Sequence, residues 1–119
     1  MKRLASIAAL AALTFASSAQ AETSAKEFLE VYASPDGETL GEMQISATEQ
    51  GLHQINTYLK KTAGQKQVYC QPDTLILTGP QLADMLTRAV NENSALKNMP
   101  LSGAMLIVLQ KTFPCTTAK

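Results

Sequence analysis

The stretch ETLGEMQISATEQGLHQINTYLKKT, residues 38–62, decides the fold class. Its apolar positions Leu40, Met43, Ala47, Leu52, Ile55, Tyr58 and Leu59, together with Gly51, recur at steps of three and four, and no proline interrupts them. That period belongs to an α-helix, since a strand alternates with a period of two. Lys60 and Lys61 lie where cations favour a helix C-terminus, and Ala63-Gly64 then supplies a stop. The spacing predicts one long helix over 38–62. Gly51 falls in its middle, where glycine costs about 1 kcal/mol relative to alanine. Close approach by a neighbouring helix is the expected reason for its presence.

Working outward, Ala25, Phe28, Leu29 and Tyr32 give a short amphipathic helix over 24–33, which Ser34-Pro35-Asp36-Gly37 ends with turn chemistry. On the other side, Val68-Tyr69-Cys70 and Leu75-Ile76-Leu77 are short apolar patches around Gln71-Pro72-Asp73-Thr74. The 65–78 segment reads as an ordered loop; a short strand at either patch stays open, but two such runs make no sheet. Thr78 is then placed as a helix N-cap, with Pro80 in the first turn and Gln81 at the capping-box position. Leu82, Met85, Leu86, Ala89 and Val90 form the buried stripe of that helix. Asn91-Glu92-Asn93-Ser94 weakens it, and 95–99 is a polar link with room for one extra turn. A last helix over 100–112 carries Leu101, Ala104, Met105, Val108, Leu109 and Thr112 on one face. Leu106 and Ile107 make it nearly apolar all round, which predicts burial on both sides, centrally or in a dimer. Phe113-Pro114-Cys115 ends it, and a frayed tail is expected over 116–119. The expected class is all-α: a compact small helical domain of about four helices, stapled by one disulfide.

The N-terminus reads differently. Lys2 and Arg3 precede an uncharged apolar run over 4–15, and Ala19-Gln20-Ala21 follows as a peptidase site, so 1–21 is expected to be a secretory signal peptide cleaved after Ala21. The run is too short for a membrane-spanning helix, which needs about 20 residues. Residues 22–119 then form a single domain with no membrane attachment. The whole chain carries 10 basic and 10 acidic residues. The signal removes two of the basic ones and leaves a slightly acidic domain, which is not the footprint of a nucleic-acid binder. Lys60, Lys61 and Lys66 read as a solvated helix end.

In an exported chain the two cysteines, Cys70 and Cys115, read as a disulfide. A loop of that length stabilises by roughly 4 kcal/mol. Two thiols are too few for a structural zinc site, and His53, the one histidine, reads as a helix-face residue, so no metal and no cofactor are expected. With both thiols oxidised, a nucleophile partnered by His53 is not expected either, and the chain does not read as an enzyme. Glu27 with Glu30, and Glu38 with Glu42, read as solvated carboxylates. Met43, Met85 and Met105 lie on apolar stripes as packing residues.

Over residues 69–115 a more specific pattern is present: Tyr69-Cys70-Gln71-Pro72, Thr78-Gly79-Pro80-Gln81-Leu82, an amphipathic helix, a polar link with Pro100, a small-residue apolar helix, and Phe113-Pro114-Cys115. This pattern resembles the Rap/Tai family of periplasmic immunity proteins, which protect bacteria against peptidoglycan amidases injected by type VI secretion. Around Gly51 the chain has Ile45 and Thr48 where the family often has a cysteine and an aromatic residue. The resemblance implies a compact all-helical homodimer in the periplasm that binds and neutralises a cell-wall amidase effector, with an exposed inter-helix loop reaching the enzyme's active site. The polar link with Asn91, Glu92, Asn93, Ser94 and Lys97 is assigned that role, because it lacks a core pattern and joins two apolar helices. The alternative is a small HdeA-like periplasmic stress chaperone, also helical, dimeric and held by one disulfide. A small hydrolase would instead need His53.

Overall fold

The computed structural model describes residues 22–116; the expected signal peptide, 1–21, and the last tail residues, 117–119, lie outside the described residues. Four helices follow one another: α1 (Ala25–Tyr32), α2 (Glu38–Lys61), α3 (Gly79–Glu92) and α4 (Leu101–Thr112), with a 3-10 turn (Ser94–Asn98) between the last two. There is no strand among the described residues, so the 65–78 segment is a loop throughout. The class is all-α, and Cys70 and Cys115 form a disulfide.

The helix starts are chemically specified. Thr78 Oγ1 accepts from the Gln81 backbone N–H, and the Thr78 N–H donates to Gln81 Oε1 at 2.9 Å, completing the capping box expected for α3. Ser24 and Glu27 build the same device at α1, with the Ser24 N–H donating to Glu27 Oε2 at 2.9 Å. Glu27 is therefore a cap, and this holds its carboxyl below the usual carboxylate range. At α4 the cap comes from far along the chain: Ser102 donates from both N–H and Oγ to the Glu22 carboxylate, each at 2.7 Å. Beside it, Ala25 N–H donates to Met99 O and Leu101 N–H to Thr23 O, so the start of α1 is laced to the start of α4.

The core is apolar and lies where the four helices meet, with Phe28, Ile45, Leu82, Leu86, Leu101 and Met105 fully buried. Helix α2 touches each of the other three. Helix α4 buries Leu101, Ala104, Met105, Val108 and Leu109, but Leu106 is half-buried and Ile107 exposed, so within the chain it is covered on one side and is not the central, doubly buried helix.

The rotation of α2 about its own axis is not the one that would bury most of its large apolar residues. Most of the large apolar residues that define it in sequence face outward: Leu40 is 66 %, Met43 64 %, Ile55 62 % and Tyr58 57 % exposed, while Leu52 packs against the core and Leu59 is half-buried. The face turned to the core carries Gly41, Ile45, Glu49 and Asn56. Two contacts require this phase. Tyr32 lies over Gly41 so closely that a Cβ there would stand 2.7 Å from the ring. Asn56, buried to 2 % exposure, donates from Nδ2 to Tyr69 O at 2.7 Å, while its Oδ1 accepts from the Val68 N–H at 2.7 Å. Gly51 meets nothing within 4 Å of its Cβ position, so the neighbour expected against it is not supplied by the described part of this chain.

Asn56 thus gives the loop backbone the partners that a sheet or helix would otherwise provide. Tyr69 is buried beneath it, the Cys70 N–H donates to Phe113 O at 2.8 Å, and the disulfide closes a separation of 45 residues. Asn56→Ala strips the partner from the buried Tyr69 carbonyl and from the part-buried Val68 N–H, and is expected to destabilise by about 2–4 kcal/mol. Thr78→Ala removes only an exposed cap and should cost about 1 kcal/mol. Urea unfolding of the two variants checks the order; equal midpoints would remove Asn56 as the loop's anchor.

Candidate functional site

Asn91 and Glu92, expected in the link, are instead the last two residues of α3. Asn93 caps both that helix and the 3-10 turn, accepting on Oδ1 from the Ala95 N–H at 3.2 Å, and Ser94 and Lys97 lie within the turn. All five are exposed, whereas Leu96 between them is buried in the core. The segment is therefore an ordered projection fixed from below by Leu96, not a slack connection. Asn91 and Lys97 border a groove of about 380 Å³ that is also lined by Lys26, Leu29 and Glu30 of α1 and by Ala33 just after it. Glu92 turns away from it and pairs with Lys111 of α4, which lowers the Glu92 carboxyl pKa. That pair is solvated and contributes little to stability.

The structure gathers a second set of residues that the sequence reading does not join. Glu49 and His53, one turn apart on α2, face the 71–77 loop across a groove of about 200 Å³ that Gln50, Gln71, Asp73 and Ile76 also line. Glu49 is only 8 % exposed, and no cation stands within ion-pair distance of it among the described residues. Gln71, also 8 % exposed, donates from Nε2 to Leu75 O at 2.9 Å. That bond fixes its amide orientation. Gln71 Oε1 is left buried without a hydrogen bond, and so are His53 Nδ1 and the Tyr69 hydroxyl. Buried polar atoms without partners are uncommon, and two of these three belong to residues that line the groove with Glu49.

The electrostatics follow from that burial. Loss of water raises the Glu49 carboxyl above its ordinary range, with His53 opposing part of the rise. Burial also pushes the Tyr69 phenol up to about 12, and the Glu49 charge adds to the shift, so the phenol stays protonated and able to donate. His53, on the face of α2, is half-buried at the edge of this groove. The signal that could have found the group is helical phase. Glu49 lies seven residues, about two turns, before Asn56, so any reading that turns Asn56 inward turns Glu49 inward too.

A carboxyl whose folded pKa is raised binds its proton more readily in the folded state, so its contribution to stability falls as pH rises from about 4.5 through the raised value, and stays low above it. Glu49→Gln removes that loss. The variant is expected to melt at a higher temperature than wild type at pH 7, with the gap closing by pH 4. Subtracting the two curves cancels Glu27 and Glu92, whose lowered pKa values act in the opposite sense. A gap that is constant with pH would show that the Glu49 carboxyl is not strained by burial.

Compared with known proteins, the chain matches no family model, no curated protein and no solved structure.

Proposed function

We propose that this protein is a periplasmic immunity protein that binds and neutralises a peptidoglycan amidase effector of type VI secretion, with no catalytic activity of its own. The observation that carries this reading is the junction of the two most specific parts of the Rap/Tai-like pattern. Tyr69-Cys70-Gln71-Pro72 and Phe113-Pro114-Cys115 meet through the Cys70–Cys115 bond and the Cys70 N–H to Phe113 O hydrogen bond. A disulfide is at home in an oxidising compartment, which agrees with export of the chain and a periplasmic location.

The partner surface in this reading is the projection bearing Asn91, Glu92, Asn93, Ser94 and Lys97. An inhibitor gains affinity when the segment it inserts is ordered before binding, because less entropy is then lost on docking. The Asn93 cap and the buried Leu96 supply that order. Deleting the segment would remove Leu96 from the core, so exposed side chains are the better probes. The combined substitutions Asn91→Ala, Ser94→Ala and Lys97→Ala are expected to weaken inhibition of the cognate cell-wall amidase at least tenfold, with unfolding unchanged. Full inhibition by the triple variant would exclude this segment as the inhibitory surface.

The homodimer belongs to the same proposal, and the exposed stripe of α2 suits it. Leu40, Met43, Ile55 and Tyr58 flank Gly51, whose missing side chain leaves room for a second helix to approach. Light scattering should give the mass of two chains for wild type and of one chain for Ile55→Asp. A monomeric wild type at micromolar concentration would remove the dimer.

The same exposed stripe gives the chaperone alternative its one specific support, since HdeA-like action needs apolar surface for unfolded clients. Protection of a client from aggregation at strongly acidic pH separates the two readings.

A further inference from the structure

We propose that the groove between the middle of α2 and the 71–77 loop is a binding site for a primary ammonium group carried on an aliphatic stem. The buried polar groups that lack a partner in this groove include a carboxylate and an amide carbonyl, both acceptors. Glu49 brings a buried carboxylate with no cation against it, and Gln71 Oε1 is a buried carbonyl whose direction is set by the bond from Nε2 to Leu75 O. His53 Nδ1 lies unbonded on the same wall, and Asp73 adds a second carboxylate at the rim. An alkylammonium has three donors and no acceptor, and its charge is what an unpaired buried carboxylate lacks.

The walls select for the stem. Leu75, Ile76 and Leu77 line the groove, and Ile76 is 84 % exposed, an aliphatic side chain held out in solvent beside a polar floor. A chain of three or four methylenes ending in an ammonium would cover it while the head reached Glu49, the usual division of labour in a lysine side chain. The volume, about 200 Å³, accommodates such a group.

Other ligand classes fit less well. An anion would meet two carboxylates, and an uncharged alcohol would leave the Glu49 charge unbalanced. A metal ion is disfavoured because the described residues contain no cluster of three or more His, Cys, Asp or Glu side chains able to hold one. The ammonium site stands on elements other than the Asn91–Lys97 projection, and does not depend on the immunity reading.

Two sources carry this chemistry: a lysine side chain of a partner protein, and a free small amine. Titration of the 15N-labelled protein with n-butylammonium, and separately with N-acetyl-lysine methylamide, covers both. The expected result is saturable movement of the Gln71 side-chain amide and His53 ring resonances, with n-butanol and butyrate causing none. Glu49→Gln keeps the shape and removes the charge, and should weaken binding at least tenfold while the rest of the spectrum is preserved. Tighter binding of the lysine derivative identifies a protein side chain as the ligand, and equal or tighter binding of n-butylammonium identifies a free amine. Absence of saturation with both probes, an equal response to n-butanol, or unchanged affinity in Glu49→Gln would overturn the site.

Discussion

The three hydrogen bonds that Asn56 makes to the backbone of Val68 and Tyr69 set the rest of the arrangement. They hold a loop that has no regular structure to satisfy its own polar groups, and they do so immediately before Cys70. With the loop held there, Cys70 reaches both Phe113 O and the Cys115 sulfur, and the end of α4 is tied to the end of α2. A side chain that must face the loop also fixes the rotation of the helix that bears it. Because α2 touches every other helix, its phase decides which of its residues join the core and which are left for other uses.

That phase explains why the helices were legible in the sequence while the orientation of α2 was not. Capping chemistry at Thr78 and Gln81, and turn chemistry at Pro35 and Gly37, are local, and local signals mark where helices begin and end. Periodicity also reports correctly that 38–62 is helical. It assumes in addition that the more apolar face is the buried one, and at α2 that assumption fails. Leu40, Met43, Ile55 and Tyr58 are exposed while Glu49 and Asn56 are buried, and the contacts that favour this phase, Asn56 with the loop and Gly41 with Tyr32, are long-range or shape-dependent. Neither leaves a mark in a hydrophobicity pattern.

The candidate sites divide along the same line. The projection from Asn91 to Lys97 was visible because exposed polar residues between two apolar helices stand out in composition. Its rigidity was not, since it depends on one buried residue, Leu96, inside a polar run. The groove of Glu49, His53 and Gln71 was hidden because it joins two elements through residues that look ordinary alone. A glutamate and a histidine one turn apart on a helix are commonplace, and Gln71 reads as part of a turn. Only with α2 turned by Asn56 do they face one another.

An inward Glu49 is costly for a domain of this size, where total stability is a small difference between large terms. A leucine at that position would bury without an electrostatic penalty, and the neighbouring Ile45 shows that this part of the face accepts an aliphatic residue. Asn56 accounts for its own burial through its hydrogen bonds, and Glu49 has no comparable account among the described residues. The outward stripe poses the converse question, since large apolar side chains there gain nothing from exposure to water. Both departures favour contacts that the isolated chain does not make: a cation for the carboxylate, and an apolar surface for the stripe around Gly51. They lie on different faces of one helix, so a single element, positioned by one asparagine, would serve two separate contacts without either obstructing the other.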